Sequence, residues 1–221
     1  MKIYISGSES IKNEIGKMFN AELSDVINDS VDIIIEAGNF PKETKLENIK
    51  RIDEESGKKI PVFTSSLCVP AYEQCAISKY PERLIGIGLY NGISDKKRIE
   101  IAPSKVTDNS ILKSAEKFLS ECKINYSIVP DRSGLVFPRI VSMIINEAAQ
   151  VYAEQTAGKE DIDTAMKLGT NYPNGPLEWA DKLGIDLIYN ILLSLYNEFH
   201  EDRYRPHPLL KEMHSLGLKF Y

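Results

Sequence analysis

The sequence has 221 residues, room for one large domain or two small ones. Apolar residues make up 43% and charged residues 27%, a globular balance that excludes a disordered or fibrous chain. The net charge of −5 leaves no basic footprint for nucleic acid or an anionic membrane, and no apolar run approaches the ~20 residues of a membrane-spanning helix. Residues 2–6, KIYIS, alternate and are β-rich, and they run into Gly7 as a first strand ending in a turn. Ile11, Ile15, Met18 and Phe19 then recur at helical spacing, and residues 22–28 read as a short second helix. The run at 31–35, closed by Glu36, Ala37 and Gly38, has the continuous apolar character of a buried parallel strand. A solvated amphipathic helix over 42–54 follows, then a strand at 60–63, a turn at 64–66, and strands at 84–90 and 98–102. Residues 109–121 form a helix with Thr107 or Asp108 as its N-cap, and 124–129 close the region as a strand. This alternation predicts an α/β unit on a mostly parallel sheet.

The segment 130–134, PDRSG, breaks the pattern and sets a domain boundary, with units over 1–129 and 130–221. Beyond it only helical spacing remains. Ile140, Ile144, Ala148 and Val151 make one stripe, with Val141, Ile145 and Tyr152 beside it, a width that predicts burial on most sides. Gly158 ends that helix, and Gly169 ends a second over 159–168. Pro176 opens a third that Gly184 closes, residues 186–199 make a fourth, and Pro208 opens a short last one. The second unit is therefore all-α.

The opening MKIYISGSES has one lysine and none of the apolar stretch of a signal peptide. The three cysteines, Cys68, Cys75 and Cys122, form no paired motif and suit a reducing cytoplasm. All three histidines, His200, His207 and His214, fall in the helical tail. Pro206 and Pro208 break any helix through them, so the spacing is read as packing and no metal is expected.

A strand, a glycine and a helix in succession open a nucleotide-binding candidate. A dinucleotide turn needs three glycines: for the bend, for close approach of backbone to the diphosphate, and for helix–strand packing. Here those positions hold Gly7, Glu9 and Lys12. Gly7 and Ser8 are the candidate cofactor residues of the turn, while Glu9 brings a carboxylate towards a diphosphate anion. A Walker loop is excluded, because no glycine stands five residues before Gly16-Lys17. The same fold asks for a ribose-binding acid about 20 residues on. Asp25 and Asp29 have that distance but lie in the stretch read as helical. Glu36 ends a strand and is the better-placed acid.

The second half carries the phrases VPDRSGLVFPRIVSMIINEAAQVY, EDIDTAMKLGTNYPNGPLEWADKLGID and YRPHPLLKEM. In them the chain resembles the C-terminal domain of the 3-hydroxyacyl-CoA dehydrogenases, including the 3-hydroxybutyryl-CoA enzymes of fatty acid metabolism. VDIIIEA, TSSL, PERLIGIGLYN and RIEIAP follow the same family's order in the first half. The resemblance implies a Rossmann-like α/β domain followed by an all-α dimerisation domain. It also implies NAD as cofactor and interconversion of 3-hydroxyacyl-CoA with 3-ketoacyl-CoA. A homodimer through the helical domain is implied too, with an acyl-CoA-like small molecule or a full-length homologue as further partners.

That chemistry needs a base for the hydroxyl proton, a task suited to histidine. In the family's G-x-H-F-x-N-P stretch the histidine position is held here by Gly88. The asparagine after the family's D-x-P-G-F turn is matched by Pro138. Glu100 matches the carboxylate of the V-E-V phrase, and Ser65 matches the hydroxyl of T-S-S-L. Ser65 and Glu100 are thus the catalytic positions kept, and the proton acceptor is lost. Tyr90 and Trp179 read as packing aromatics. The family also has a second strand bearing the ribose acid and a long helical hairpin. The dozen residues from Phe19 to Val31 are too few for these, so the first domain is read as truncated, with VDIIIEA as the family's later strand. The rival reading makes 31–35 the second strand and Glu36 the ribose acid. The expectation is a shortened, catalytically degenerate member, a pseudoenzyme, in which NAD binding is doubtful.

Overall fold

A computed structural model describes residues 1–57, 59–95 and 98–221. The chain forms two compact units, Met1–Leu135 and Val136–Tyr221, dividing a few residues beyond the break expected at 130.

In the first unit β1 (Lys2–Ser6) runs into α1 (Glu9–Phe19), followed by β2 (Glu22–Ser24), β3 (Ile33–Glu36) and α2 (Lys42–Glu55). Then come β4 (Val62–Ser65), a short α3 (Ala71–Cys75), β5 (Leu84–Ile87), β6 (Ile99–Pro103), α4 (Asn109–Glu121) and β7 (Tyr126–Ile128). Among the described residues the strands form one sheet in the order β2-β1-β3-β4-β5-β6-β7. Every neighbouring pair is parallel except β5 with β6. The central strands are apolar on both sides because both sheet faces are covered. Ile34, Val62 and Leu84 pack with Ile49 and Ile52 of α2 on one face. Phe19 of α1 meets Phe118 of α4, ring centroids 5.3 Å apart, so these two helices share a layer. Each such side chain contributes roughly 1.5–3 kcal/mol on burial.

Three sequence expectations are corrected. Residues 22–24 form a strand, not the start of a helix. Asn20 stops α1 in the left-handed region (φ 47°), and the chain turns back beside β1, where the Glu22 amide donates to the Met1 carbonyl at 3.1 Å. The space between Phe19 and Val31 therefore does hold a second strand, a three-residue one. The rival placement of 31–35 as second strand also fails, because β3 lies on the opposite side of β1 from β2. Helix α3 is an addition to the elements expected from the sequence. Its leading amides, Ala71 and Tyr72, donate to the Asp131 carboxylate at 2.8 and 2.7 Å, a cap about sixty residues away that no local pattern reveals.

The second unit contains α5 (Phe137–Ala153), α6 (Lys159–Thr170), α7 (Pro176–Leu183), α8 (Ile185–Phe199) and α9 (Pro208–Leu216). Gly169 lies inside α6, which instead ends at Asn171 in the left-handed region (φ 56°). The stripe on α5 is not buried all round: Val141 and Ile145 are interior, whereas Ile140 is 54% exposed. Trp179 is buried, edge-on to Phe137 at 6.3 Å. His207 is the N-cap of α9, its Nδ1 accepting from the Leu209 amide at 3.2 Å, and His214 bonds Asp186 at 2.6 Å. Among the described residues no helix is long and apolar enough to cross a membrane.

The ordered phrase EDIDTAMKLG…NGPLEWAD has a physical reason in this unit. Asp163, buried on α6, accepts from the Leu177 and Glu178 amides at 2.8 and 3.0 Å and from the Tyr221 hydroxyl at 3.0 Å. It thereby caps α7 from another helix. Asp181 on α7 accepts from the Phe220 and Tyr221 amides at 3.0 and 2.8 Å, and Lys159 donates to the Phe220 carbonyl at 2.6 Å. A Cβ at Gly175 would stand 2.1 Å from the Asp163 Cγ, so only glycine fits between these helices.

Candidate functional site

In an open parallel sheet the ligand crevice lies beyond the carboxyl ends of the strands, where the strand order reverses. Here the reversal falls at β1, flanked by β2 and β3. Gly7 follows β1, Ala37 and Gly38 follow β3, Ser65 ends β4, and Gly88 follows β5, so the topology gathers these positions along one edge.

At the first turn a Cβ on Gly7 would meet Ile11 Cγ2 at 2.9 Å and Ala37 Cβ at 3.2 Å, so glycine permits the close seating of α1. Ser8 occupies the N-cap of α1 in extended backbone, and its side chain makes no cap hydrogen bond. Glu9 is exposed and paired with Lys12 at 2.9 Å. The hydrogen bond and charge of Glu9 hold the Lys12 ammonium above its ordinary pKa, with a small further contribution from Asp25. Asp25 immediately follows β2 and is exposed, which is the place of the ribose acid in a doubly wound fold. Its spacing from Gly7 points to it, but the helix expected over 22–28 conceals it.

Glu36 is turned inward and fully buried. Its carboxylate pairs with the equally buried Lys45 of α2 and accepts from the Gly38 amide and the Asn48 side chain, each at 3.2 Å. Lys45 also donates to Thr64 Oγ1 at 3.0 Å, and Thr64 in turn donates to Gln74 of α3. Desolvation holds Lys45 below its ordinary pKa, with the charge of Glu36 opposing the shift. A carboxylate with 0% exposure presents nothing to a ribose, and the expected cofactor role of Glu36 gives way to this internal network.

Ser65 is buried, and its hydroxyl donates to Asn39 Oδ1 at 2.6 Å. Asn39 Nδ2 donates onward to the Leu89 carbonyl at 2.9 Å. One amide side chain thus ties together the ends of β3, β4 and β5, a cross-link that the sequence did not disclose. Glu100 is half-buried on β6, and its carbonyl accepts from the Gly88 amide at 3.1 Å, so these two positions remain adjacent across the antiparallel pair. Tyr90 is buried, and burial followed by the nearby charges of Glu100 and Glu14 raises its phenol pKa, as suits a packing residue. A Cβ at Gly88 would meet Leu135 Cδ1 at 3.3 Å and Leu67 Cδ2 at 3.6 Å. Leu135 is itself 4% exposed and has φ 50°. A side chain at position 88 would therefore press on Leu135, which would have to give by a few tenths of an ångström. Pro138 is buried in the first turn of α5.

These residues fit a dinucleotide unevenly. Asp25 suits an adenosine ribose, but Glu9 opposes a diphosphate. At the other end the Ser65 hydroxyl is engaged by Asn39, and the first unit contains no histidine. The set suits an adenosine ribose better than a diphosphate.

Comparison with known proteins agrees with the architecture. The family model "3-hydroxyacyl-CoA dehydrogenase, C-terminal domain" matches residues 134–219. The 3-hydroxybutyryl-CoA dehydrogenase of Clostridioides difficile is 34% identical over 196 residues, covering 86% of this chain and 68% of that protein. A probable 3-hydroxybutyryl-CoA dehydrogenase of Bacillus subtilis is 31% identical over 219 residues, covering 92% and 75%. Among solved structures, FadB2 of M. tuberculosis superposes with a TM-score of 0.88 at 19% identity, over 99% of this chain and 97% of that one. The (S)-3-hydroxybutyryl-CoA dehydrogenase PaaH1 of Ralstonia eutropha gives 0.83 at 24%, over 98% and 94%. The structures establish the shared fold, and the identity and coverage of the two sequence relatives show that the chain belongs to the 3-hydroxyacyl-CoA dehydrogenase family.

Proposed function

We propose that this chain keeps the family's scaffold without carrying out NAD-dependent interconversion of 3-hydroxyacyl-CoA and 3-ketoacyl-CoA at an enzymatic rate. The carrying observation is Gly88 itself, which has no side chain to accept the hydroxyl proton and whose amide donates to the Glu100 carbonyl at 3.1 Å. A missing general base alone lowers rate by ~10²–10⁴-fold. The Asn39 cross-link on Ser65 and the proline at 138 support the same reading. Acetoacetyl-CoA reduction by NADH is expected to lie at least that far below a relative assayed in parallel, and turnover equal to the relative's overturns the proposal. Gly88→His is expected to leave turnover unrestored with Pro138 in place, and to destabilise the fold by about 1 kcal/mol as Leu135 gives way to the new Cβ.

Asp25 at the end of β2 favours a second reading, an adenosine nucleotide bound without hydride transfer. Calorimetric titration with ADP and with NAD separates the two. Saturable ADP binding that Asp25→Asn weakens supports the second reading. Absence of binding by either ligand at millimolar concentration leaves the scaffold role alone.

The proposal includes a symmetric pair formed through the helical unit, the commonest closed assembly, with a full-length homologue as the alternative partner. Ile140 at 54%, Leu168 at 82% and Leu216 at 63% exposure support it. Light scattering of the eluted protein is expected to give twice the chain mass, and Ile140→Glu to halve it.

A further inference from the structure

We propose that the first unit carries a second small-molecule site, remote from the crevice, that takes an aliphatic carboxylate. A cavity of about 680 Å³ opens between α3, the start of β5 and the segments following β6 and β7. Ligand pockets typically span ~300–1,000 Å³. Pro103, on its wall, pairs with Ile85 near the start of β5, whereas Gly88 follows the end of that strand. The cavity therefore lies at the opposite edge of the sheet from Gly7, Ser65 and Gly88.

Three of its walls are Pro81, Pro103 and Pro130, which present apolar rings and lack a backbone donor. Ala76 and Val106 add apolar surface, and Val106 is 54% exposed. A wall of this kind gives an alkyl chain contact area and gives water few partners. Cys75 closes the inner side, its thiol bonded to Ser104 Oγ at 3.4 Å and raised in pKa chiefly by burial.

The charges around the cavity select the head group. Its lining has two cations, Lys105 and Arg132, against one acid, Asp131, for a net of +1. The Asp131 carboxylate already accepts the Ala71 and Tyr72 amides at 2.8 and 2.7 Å. Lys105 is exposed at the rim and makes no ion pair among the described residues. An apolar pocket with a cation at its mouth matches an aliphatic chain that ends in a carboxylate.

Decanoate is the probe, titrated into the full chain by calorimetry, with decylammonium as the charge control. Saturable decanoate binding is expected at ~0.1–1 mM for a ligand of this size, with decylammonium at least tenfold weaker. Ala76→Trp fills the cavity from an exposed position and is expected to abolish binding. Lys105→Glu is expected to weaken it about tenfold, and circular dichroism checks that both variants keep the wild-type fold. Bound decanoate is also expected to slow alkylation of Cys75 by iodoacetamide several-fold in a Cys122→Ser background, where Cys68, its thiol pushed up to about 12, stays protonated. Equal binding of the two amphiphiles, decanoate binding that survives Ala76→Trp, or no binding by the wild type at several millimolar would each overturn the proposal.

Discussion

Lys45→Met is expected to destabilise the first unit by about 3–5 kcal/mol, read as a shift of the urea midpoint with unchanged slope. The methionine is close in length, so little volume is lost. What remains is the Glu36 carboxylate, fully buried, with the Gly38 amide, Asn48 and Thr64 as its hydrogen-bond partners among the described residues. An uncompensated buried charge is far more costly than the ion pair it came from. The double variant Glu36→Leu with Lys45→Met is therefore expected to recover most of the loss. Glu36→Gln tests the other partner and carries a pH signature. Lys45 already sits below its ordinary 10.5 through desolvation, and the two effects of Glu36 that oppose the shift would vanish. A lysine lowered on folding binds fewer protons native than unfolded, so stability rises with pH up to the unfolded value. The variant is expected to gain stability from neutral pH towards pH 10 more steeply than the wild type. A flat profile in both proteins would show that Lys45 does not feel its burial.

The second large effect belongs to the helical unit. Gly175→Ala is expected to cost about 2–4 kcal/mol, combining overpacking with the loss of a helix cap. Its Cβ would fall 2.1 Å from the Asp163 Cγ and 2.2 Å from the Asp163 Cβ, so the aspartate must leave. With it go the bonds to the Leu177 and Glu178 amides and to the Tyr221 hydroxyl. Asp163→Asn, which keeps the shape and some of the acceptors, is expected to cost less than half as much. Equal costs for the two substitutions, measured by thermal unfolding, would mean that charge rather than fit governs the joint.

The sequence shows the parts of this fold that depend on nearby residues. Ile33, Ile34 and Ile35 announce a buried strand because their neighbours in the chain set the pattern. Helix α2 is legible in its period, yet Lys45 on it reads as a solvated lysine, since its partner Glu36 belongs to another element. Strand β2 has one apolar residue, Leu23, and exists because β1 offers it an edge. Missing it also obscured Asp25. The candidate site divides in the same way. The absence of histidine at Gly88 is plain from the sequence, whereas the leucine that lies beside it and the amide that cross-links Ser65 arrive from loops whose paths only the fold determines.

The contact between Leu135 and position 88 bears on how a base could be placed there. Restoring histidine at 88 first would force it against Leu135, with Pro138 still in place, giving a less stable chain that gains no turnover. Shortening Leu135 first would open a cavity in a well-filled interior, at about 2–5 kcal/mol for a truncation to alanine. Each single step on the way back thus passes through a poorer protein than the one it started from. A histidine at 88 and a smaller residue at 135 would therefore have to be introduced together.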